Sequence, residues 1–182
     1  VPEYPLFHYQ PYELALSSKL VDMVKLYKID VLHVHYAIPH AYAGYMAKQM
    51  LADEGIHIPM VTTLHGTDIT LVGNHPFYKP AVSFSINKSD VVTSVSQSLK
   101  DDTYRLFDIK NDIEVIPNFI ELNKEKLKEN IPCHRSLMAS ENEKIITHIS
   151  NFRKVKRIED IVKIFYEIQK EVPSKLMMVG EG

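Results

Sequence analysis

Short apolar runs alternate along the chain with longer segments in which apolar residues recur every three or four positions. Leu16, Leu20 and Val24 show the second pattern, which is typical of an amphipathic helix, and the β-branched run 59–64 shows the first. Predicted helices span residues 12–28, 41–51, a segment ending near 88, 97–106 and 158–170, and predicted strands span 30–35, 59–64, 90–95, 113–116, 144–149 and 175–179. Strands separated by helices predict an α/β fold with parallel sheets.

The alternation breaks once, where the sequence is charged and weakly patterned. We therefore predict most of one Rossmann-like domain over residues 1–122, a linker over 123–143, and the start of a second Rossmann-like domain over 144–182. The chain opens on Val1 rather than Met and stops at Gly182, directly after a predicted strand. We accordingly expect a fragment that is truncated at both ends.

Composition excludes several classes of function. The 182 residues carry 21 Lys and Arg against 23 Asp and Glu, a net charge of −2, so no basic excess favours nucleic acid or an acidic membrane surface. Cys133 is the only cysteine, which rules out an intrachain disulfide and favours a reducing compartment. No apolar run reaches the ~18–20 residues of a membrane span, and we expect no leader peptide, because no basic and apolar segment opens the sequence. These features predict a cytoplasmic protein.

Polar residues cluster where predicted strands end. They occupy positions 33–36, 65–68, 117–119 and 150–153, each directly after an apolar run. Ligands of open parallel sheets bind beyond the carboxyl ends of the strands. We therefore expect these clusters to line a binding crevice.

His65 is the foremost candidate for chemistry within these clusters. It is followed by Gly66, which would permit close approach of a ligand to the main chain. The alternative is a structural histidine that caps the next turn. Asp68 could orient His65 or a sugar hydroxyl, or it could merely cap a helix.

His33 and His35 place two imidazoles on one face of a predicted strand. This spacing suits a metal ion and a metal-dependent hydrolase. With nine histidines in the chain, however, such a pair arises easily by chance, and no carboxylate at an obvious strand end supplies further ligands. The alternative is a pair of histidines packed on one sheet face beneath the crevice.

A basic cluster follows the predicted strand 144–149, at the point where the next helix begins. Its members are Arg153, Lys154, Lys156 and Arg157. Cations beside a helix N-terminus are suited to a diphosphate, and Asn151 adds hydrogen-bonding capacity. The chain contains neither Gly-x-Gly-x-x-Gly nor Asp-x-Asp. We therefore expect no dinucleotide fingerprint, and neutralisation of a diphosphate without a metal or other cofactor. A solvated basic face is the alternative.

Several motifs together resemble glycosyltransferases of family 4. They are Val-Thr-Thr-Leu-His-Gly-Thr-Asp at 61–68, Ser-Val-Ser-Gln-Ser-Leu at 94–99, Val-Ile-Pro-Asn-Phe at 115–119, Ile-Ser-Asn-Phe-Arg-Lys-Val-Lys-Arg at 149–157 and Met-Val-Gly-Glu-Gly at 178–182. The resemblance covers essentially the whole chain. It implies the GT-B architecture of two Rossmann-like domains, with a Gly-rich loop before this chain and a Glu-x7-Glu element after it. It also implies that this fragment does not turn over alone.

Two motifs resemble one type of transferase within this family. They are His-Val-His-Tyr-Ala-Ile-Pro-His-Ala at 33–41 and the form of the His-Gly-Thr-Asp motif at 65–68. They imply retaining transfer of N-acetylglucosamine from UDP-N-acetylglucosamine to the hydroxyl of L-malate, a step of bacillithiol biosynthesis. The implied catalytic residues are His65, which would contact the donor sugar, and Arg153 and Lys156, which would neutralise the leaving diphosphate. The implied substrate-binding residues are Tyr36, Thr67, Asp68, Asn118 and Asn151.

Other functions stay open at this point. A family 4 transferase with a different acceptor would share these motifs, and a noncatalytic Rossmann-type binding module would share the fold. The two carboxylates of malate need cations, for which Lys79 is the candidate in the first domain. A homodimer is compatible with the resemblance, although no residue pattern indicates one.

Overall fold

A computed structural model of the chain describes residues 11–73, 75–121 and 134–182. The chain divides into two compact units, Val1–Ile120 and Glu121–Gly182. Each unit contains its own parallel sheet. The α/β fold class that the alternating pattern predicts is therefore confirmed.

The first unit is built on a four-stranded parallel sheet with the strand order β1-β2-β3-β4. Consecutive strands are neighbours, and a helix occupies each crossover, as parallel pairing requires. The strands are β1 (Leu32–His35), β2 (Met60–Leu64), β3 (Val91–Ser94) and β4 (Ile113–Val115), and the helices are α1 (Tyr12–Tyr27), α2 (Tyr42–Asp53), α3 (Lys79–Asn87) and α4 (Gln97–Leu106). Short helical turns at Ala37–Ala41 and Thr67–Leu71 follow β1 and β2.

The core of the first unit forms two clusters of aliphatic side chains. One surrounds Leu64 and Ile86, and the other surrounds Leu51 and Met60, all without solvent exposure. Residues of β1 alternate between this core and the opposite face of the sheet, so that Leu32 and Val34 are buried while His33 and His35 are exposed. Burial of the aliphatic face therefore fixes which face carries the histidines.

Helix α4 has the bounds and the cap that its sequence predicts. Ser96 is extended, and its hydroxyl accepts the Leu99 main-chain N–H at 3.2 Å. A serine in this position satisfies one of the free N–H groups of the first turn. The prediction succeeds because the signal for this helix start is local.

The second unit pairs β5 (Lys144–Ile149) with β6 (Ser174–Val179) in parallel, with α6 (Ile158–Glu171) as the crossover. A short helix, α5 (Arg135–Met138), precedes this unit's sheet, and a helical turn at Lys154–Lys156 precedes α6. Helix α5 lies within the segment predicted as a linker, and residues 123–133 of that segment lie outside the described residues. The linker over 123–143 and the domain bounds stay predictions.

None of the helices described over 11–73, 75–121 and 134–182 combines the length and the apolar character needed to cross a membrane.

Candidate functional site

Three of the predicted polar clusters lie where strands of the first sheet end. His35 is the last residue of β1 and pairs in register with Thr63 of β2, so His65 lies just beyond it at the same edge. Asn118 follows β4 in the same unit. The cluster at 150–153 belongs to the second unit.

A cluster of three histidines occupies this edge of the first sheet. The His33 and His35 rings are stacked with centroids 4.8 Å apart, and the His35 Nδ1 and His65 Nε2 atoms are 2.8 Å apart. The His33 Nε2 atom lies 2.8 Å from the Thr63 hydroxyl, which bonds to the Thr93 hydroxyl at 2.7 Å. We refer to His33, His35 and His65 as the histidine cluster.

The surroundings of His65 disfavour its protonated form. Burial away from water lowers the pKa of His65 below its ordinary value of 6.5, and the neighbouring His35 lowers it further. The carboxylate of Asp68 acts in the opposite direction but does not overcome these effects. His65 is consequently neutral at pH 7.

The loop that carries His65 is held by a buried carboxylate. Asp68 is 3% exposed, and its Oδ1 atom accepts the main-chain N–H groups of Gly66 (3.0 Å) and His65 (3.3 Å). Its Oδ2 atom accepts the N–H of Ala37, which follows β1, at 2.8 Å. Asp68 therefore joins the exits of β1 and β2, and both of its oxygens are engaged by main-chain donors.

Gly66 adopts a backbone conformation that favours glycine. Its φ is +113°, and a Cβ built on it would meet no atom within 4 Å. The conformation rather than crowding explains the glycine here. The space beside the main chain is open, as the approach of a ligand requires.

Tyr36 lies against His65 in an unusual backbone conformation. Its φ is +77°, which is rare for a bulky residue, and its ring centroid lies 5.0 Å from that of His65. Its N–H donates to the Thr63 carbonyl at 2.9 Å, so the end of β1 is held to β2. Such strain is found where the surrounding structure fixes a residue, often at functional sites.

A cavity of about 270 Å³ opens beside the histidine cluster. Its polar lining comes from the histidine cluster, Thr63, Thr93 and Asn118, and its apolar lining includes Ile116 and Phe119. Phe119 is 85% exposed and follows Asn118 directly. The structure thus brings two of the predicted site residues, His65 and Asn118, to one cavity.

Four other predicted residues of the first unit lie outside the lining of this cavity, namely Tyr36, Thr67, Asp68 and Lys79. Thr67 is exposed and begins the helical turn after Gly66. Lys79 begins α3, and its ammonium group lies 5.7 Å from the centroid of the Phe107 ring. All four stay predictions as substrate-binding residues.

The basic cluster of the second unit lies between β5 and α6. A cleft of about 740 Å³ is lined by Arg153, Lys154 and Arg157 together with Glu159 and Asp160. The Arg157 Nε–H donates to Asp160 Oδ2 at 2.6 Å. Two acidic residues in the first turn of α6 therefore share the cleft with the cations, a feature that the sequence analysis did not consider.

Lys156 and Asn151 flank this cleft in sequence but do not line it. The Lys156 N–H donates to the Arg153 carbonyl at 2.8 Å, within the helical turn that precedes α6. The Asn151 carbonyl accepts the Arg153 N–H at 2.9 Å. The roles of Arg153, Lys156 and Asn151 toward a diphosphate stay predictions.

The metal interpretation of His33 and His35 finds little support in the geometry. Across the described parts of the chain, no group of three or more His, Cys, Asp or Glu side chains could hold a metal ion. A nitrogen of His33 is already engaged by Thr63, and a nitrogen of His35 by His65. The pair is better described as part of a hydrogen-bonded sheet face.

The contact between His35 and His65 was not predicted from the sequence, and neither were the positions of Thr63 and Thr93 beside it. The sequence does contain a signal for this arrangement, because alternate residues of a strand lie on the same face of the sheet. Residues 33 and 35 of β1 pair with residues 61 and 63 of β2, and residue 65 follows at the same spacing. The register that aligns the two strands is set by tertiary packing, so the pairing of His35 with His65 was not evident from either strand alone.

Comparisons with known proteins agree with the motifs. Residues 1–124 match Glycosyltransferase Family 4. The chain is 47% identical over 182 residues to the N-acetyl-alpha-D-glucosaminyl L-malate synthase of Bacillus anthracis. It is also 26% identical over 183 residues to a putative teichuronic acid biosynthesis glycosyltransferase, TuaC, of Bacillus subtilis.

The chain spans about half the length of the curated relatives that it matches, 47% of the first and 43% of the second, while 100% and 95% of this chain is covered. Among solved structures, the S. aureus MnaA-UDP co-structure is similar at a TM-score of 0.45 and 13% identity, over 98% of this chain and 48% of that one. Since the family match extends over more than half of the chain, the protein belongs to Glycosyltransferase Family 4.

Proposed function

We propose that the protein containing this chain is a retaining glycosyltransferase that moves N-acetylglucosamine from UDP-N-acetylglucosamine to the hydroxyl of L-malate. The observation that carries the proposal is the 47% identity, over the entire chain, to a relative whose name states that product. Family membership supports the reaction class. In this proposal the reaction is a step of bacillithiol biosynthesis and takes place in the cytoplasm.

The neutral state of His65 suits the transition state of this reaction. As UDP departs, positive charge develops on the donor sugar, and a cationic group beside the anomeric carbon would oppose that charge. The lowered pKa of His65 leaves an uncharged ring beside the cavity. We assign to His65 a hydrogen bond with a hydroxyl of the donor sugar.

The departing UDP, in contrast, requires positively charged groups beside it. UDP gains negative charge as it departs, and Arg153 and Lys156 are our candidates to neutralise it. The chain has no Asp-x-Asp motif that would hold a divalent cation against the diphosphate. We therefore propose that transfer needs no metal, with Arg153 and Lys156 supplying the positive charge.

The acceptor side is assigned from residues near His65 and after β2. Tyr36 lies against His65, and Thr67 and Lys79 belong to segments that follow β2. We propose Tyr36 and Thr67 as contacts of the substrates, and Lys79 as a partner of a malate carboxylate. Asp68 acts in this proposal through the loop it holds, since main-chain donors engage both of its oxygens.

Malate-dependent release of UDP tests the proposal. The full natural protein that contains this chain is incubated with UDP-N-acetylglucosamine and either L-malate, D-malate or succinate. Succinate keeps both carboxylates but lacks the hydroxyl that would accept the sugar, so it is the matched control. We expect UDP release with L-malate and none above background with succinate. Equal release with all three acids would contradict transfer to the hydroxyl.

A further inference from the structure

The contact between His35 and His65 joins two strand exits that are 30 residues apart in sequence. The His35 Nδ1 and His65 Nε2 atoms are 2.8 Å apart, and the two ring centroids are 5.0 Å apart. A hydrogen bond of this length between imidazoles needs one ring to donate and the other to accept. The proton positions of the two rings are therefore coupled.

His35 is itself held from several directions. The Nδ1–H of His40 donates to the main-chain carbonyl of His35 at 2.6 Å, and the Tyr12 hydroxyl lies 3.2 Å from His40 Nε2. The His33 ring stacks on the His35 ring at an interplanar angle of 30° and is fixed in turn by Thr63. The His35 ring therefore has a defined position before any ligand arrives.

The same contact decides which atom of His65 is available to a ligand. Its Nε2 atom is engaged by His35, and no residue over 11–73, 75–121 and 134–182 bonds to its Nδ1 atom. The ring also lines the cavity that contains Asn118. Nδ1 is therefore the ring nitrogen of His65 that a ligand in this cavity could engage.

We propose that His35 is a positioning residue that holds the His65 ring through Nε2, so that Nδ1 is the nitrogen presented to the donor sugar. The reference to the donor sugar rests on the function proposed above, whereas the positioning of His65 does not. His35 would not touch the substrate in this account.

The physical consequence is that the tautomer of His65 is coupled to that of His35. In a neutral imidazole one nitrogen carries the proton, and the hydrogen bond made by the other nitrogen determines which. If His35 donates, Nδ1 of His65 carries the proton and donates to a sugar oxygen. If His65 donates, Nδ1 accepts from a sugar hydroxyl. In both cases the behaviour of Nδ1 depends on His35.

The test replaces His35 in three ways. His35→Asn keeps an amide group close to the position of Nδ1 and can donate or accept there. His35→Phe keeps the ring but removes both nitrogens, and His35→Gln keeps a polar amide that lies one bond further from the main chain. His57→Asn, at an exposed histidine before β2, is the matched control.

The first measurement is the pair of ¹⁵N chemical shifts of the His65 ring in the labelled protein. We expect one dominant tautomer in the natural protein, in His57→Asn and in His35→Asn, and a mixture of tautomers in His35→Phe and His35→Gln. Amide spectra show whether each variant is folded, and His35→Gln replaces His35→Phe if the latter is not. Identical His65 shifts in the natural protein and in a folded Phe or Gln variant would overturn the proposal.

The second measurement is kcat for sugar transfer beside the affinity for UDP. We expect kcat to fall roughly 10- to 100-fold in His35→Phe, because a misplaced group at the reacting centre slows the reaction. In His35→Asn we expect kcat to recover. UDP affinity should stay unchanged, because UDP lacks the sugar. An unchanged kcat in His35→Phe would overturn the proposal. If the natural protein transfers no sugar, the proposed function fails, while the ¹⁵N shifts still test the positioning of His65.

Discussion

At the residue scale, Asp68 shows how one buried carboxylate shapes the site. It accepts three main-chain N–H groups, from Ala37, His65 and Gly66, and thereby holds the exits of β1 and β2 together. An asparagine has the same shape, but its amide nitrogen would face a main-chain donor. The carboxylate is therefore required for the loop geometry, quite apart from any contact with substrate.

We predict that Asp68→Asn lowers the free energy of unfolding by about 1–3 kcal/mol, the cost of leaving buried donors without a partner. Urea unfolding followed by circular dichroism measures the change. Asp30→Asn, at an exposed aspartate, is the control and should change stability by less than about 0.5 kcal/mol. A loss no larger than that of the control would show that the three bonds do not hold the loop.

His65 leads to a prediction about activity. We expect His65→Ala to lower kcat for sugar transfer roughly 100-fold while leaving the affinity for UDP within about 3-fold, because UDP lacks the sugar that His65 would contact. Calorimetry and turnover on the same samples make the comparison. Equal losses of affinity and kcat would mean that His65 shapes the whole cavity instead.

The pH dependence of kcat tests whether the neutral form of His65 is the active one. Because the pKa of His65 lies below its ordinary value of 6.5, the ring is neutral at pH 7 and gains a proton only at more acidic pH. The natural protein should accordingly keep its activity at pH 6.5 and lose it only at more acidic pH, as a neutral catalytic group requires. The residual activity of His65→Ala should lack this step.

At the scale of the elements, an ion pair joins α2 to the starts of β2 and β3. Lys48 of α2 bonds to Asp90, which directly precedes β3, and Asp90 Oδ2 also accepts the N–H of Met60 at 2.6 Å. Partial burial by itself raises the pKa of Asp90. The hydrogen bonds from Lys48 and Met60 outweigh this effect and hold the pKa below its ordinary value of 3.8.

A depressed pKa of Asp90 in the folded protein means that its contribution to stability is complete above pH 3.8 and is lost as the pH falls through the folded pKa. We predict that Asp90→Asn destabilises the protein by about 1 kcal/mol at pH 7. The difference from the natural protein should shrink as the pH falls below 3.8. Unfolding free energies measured across this range decide the matter, and a difference independent of pH would contradict the account.

The elements themselves were largely predictable, because their signals are local. Ser96 caps α4 where predicted, and β5 has the predicted bounds. The contacts between elements were not predictable in the same way. His35 and His65 meet only because Leu32 and Met60 are paired across β1 and β2, and that register depends on the burial of both strands. The sequence therefore singled out His65 and the pair His33 and His35 as candidates, but it did not predict the contact between His35 and His65.

At the scale of the whole molecule, the two units carry different parts of the proposed chemistry. The first unit presents an uncharged histidine beside a cavity, and the second presents a basic cluster after β5. In the proposed reaction the sugar becomes positive while the diphosphate becomes more negative. The distribution of charge over the two units matches these two needs.

The basic cluster yields a prediction for the natural protein. Lys156→Ala should lower kcat/KM for UDP-N-acetylglucosamine about 30- to 1000-fold, since loss of a charged contact to the leaving group typically costs about 2–4 kcal/mol in the transition state. Lys163→Ala, at an exposed lysine of α6, is the matched control and should have little effect. A near-normal kcat/KM in Lys156→Ala would show that Lys156 does not contact the diphosphate.

The central claim is transfer of N-acetylglucosamine to the hydroxyl of L-malate with retention of configuration, without a metal. The most direct measurement is the NMR spectrum of the product formed from UDP-N-acetylglucosamine and L-malate in the presence of EDTA. We predict an α-anomeric proton that is coupled, through the glycosidic oxygen, to the malate carbon that carried the hydroxyl before transfer. A β-linked product, free N-acetylglucosamine alone, or activity that EDTA abolishes and Mg²⁺ or Mn²⁺ restores would contradict the account.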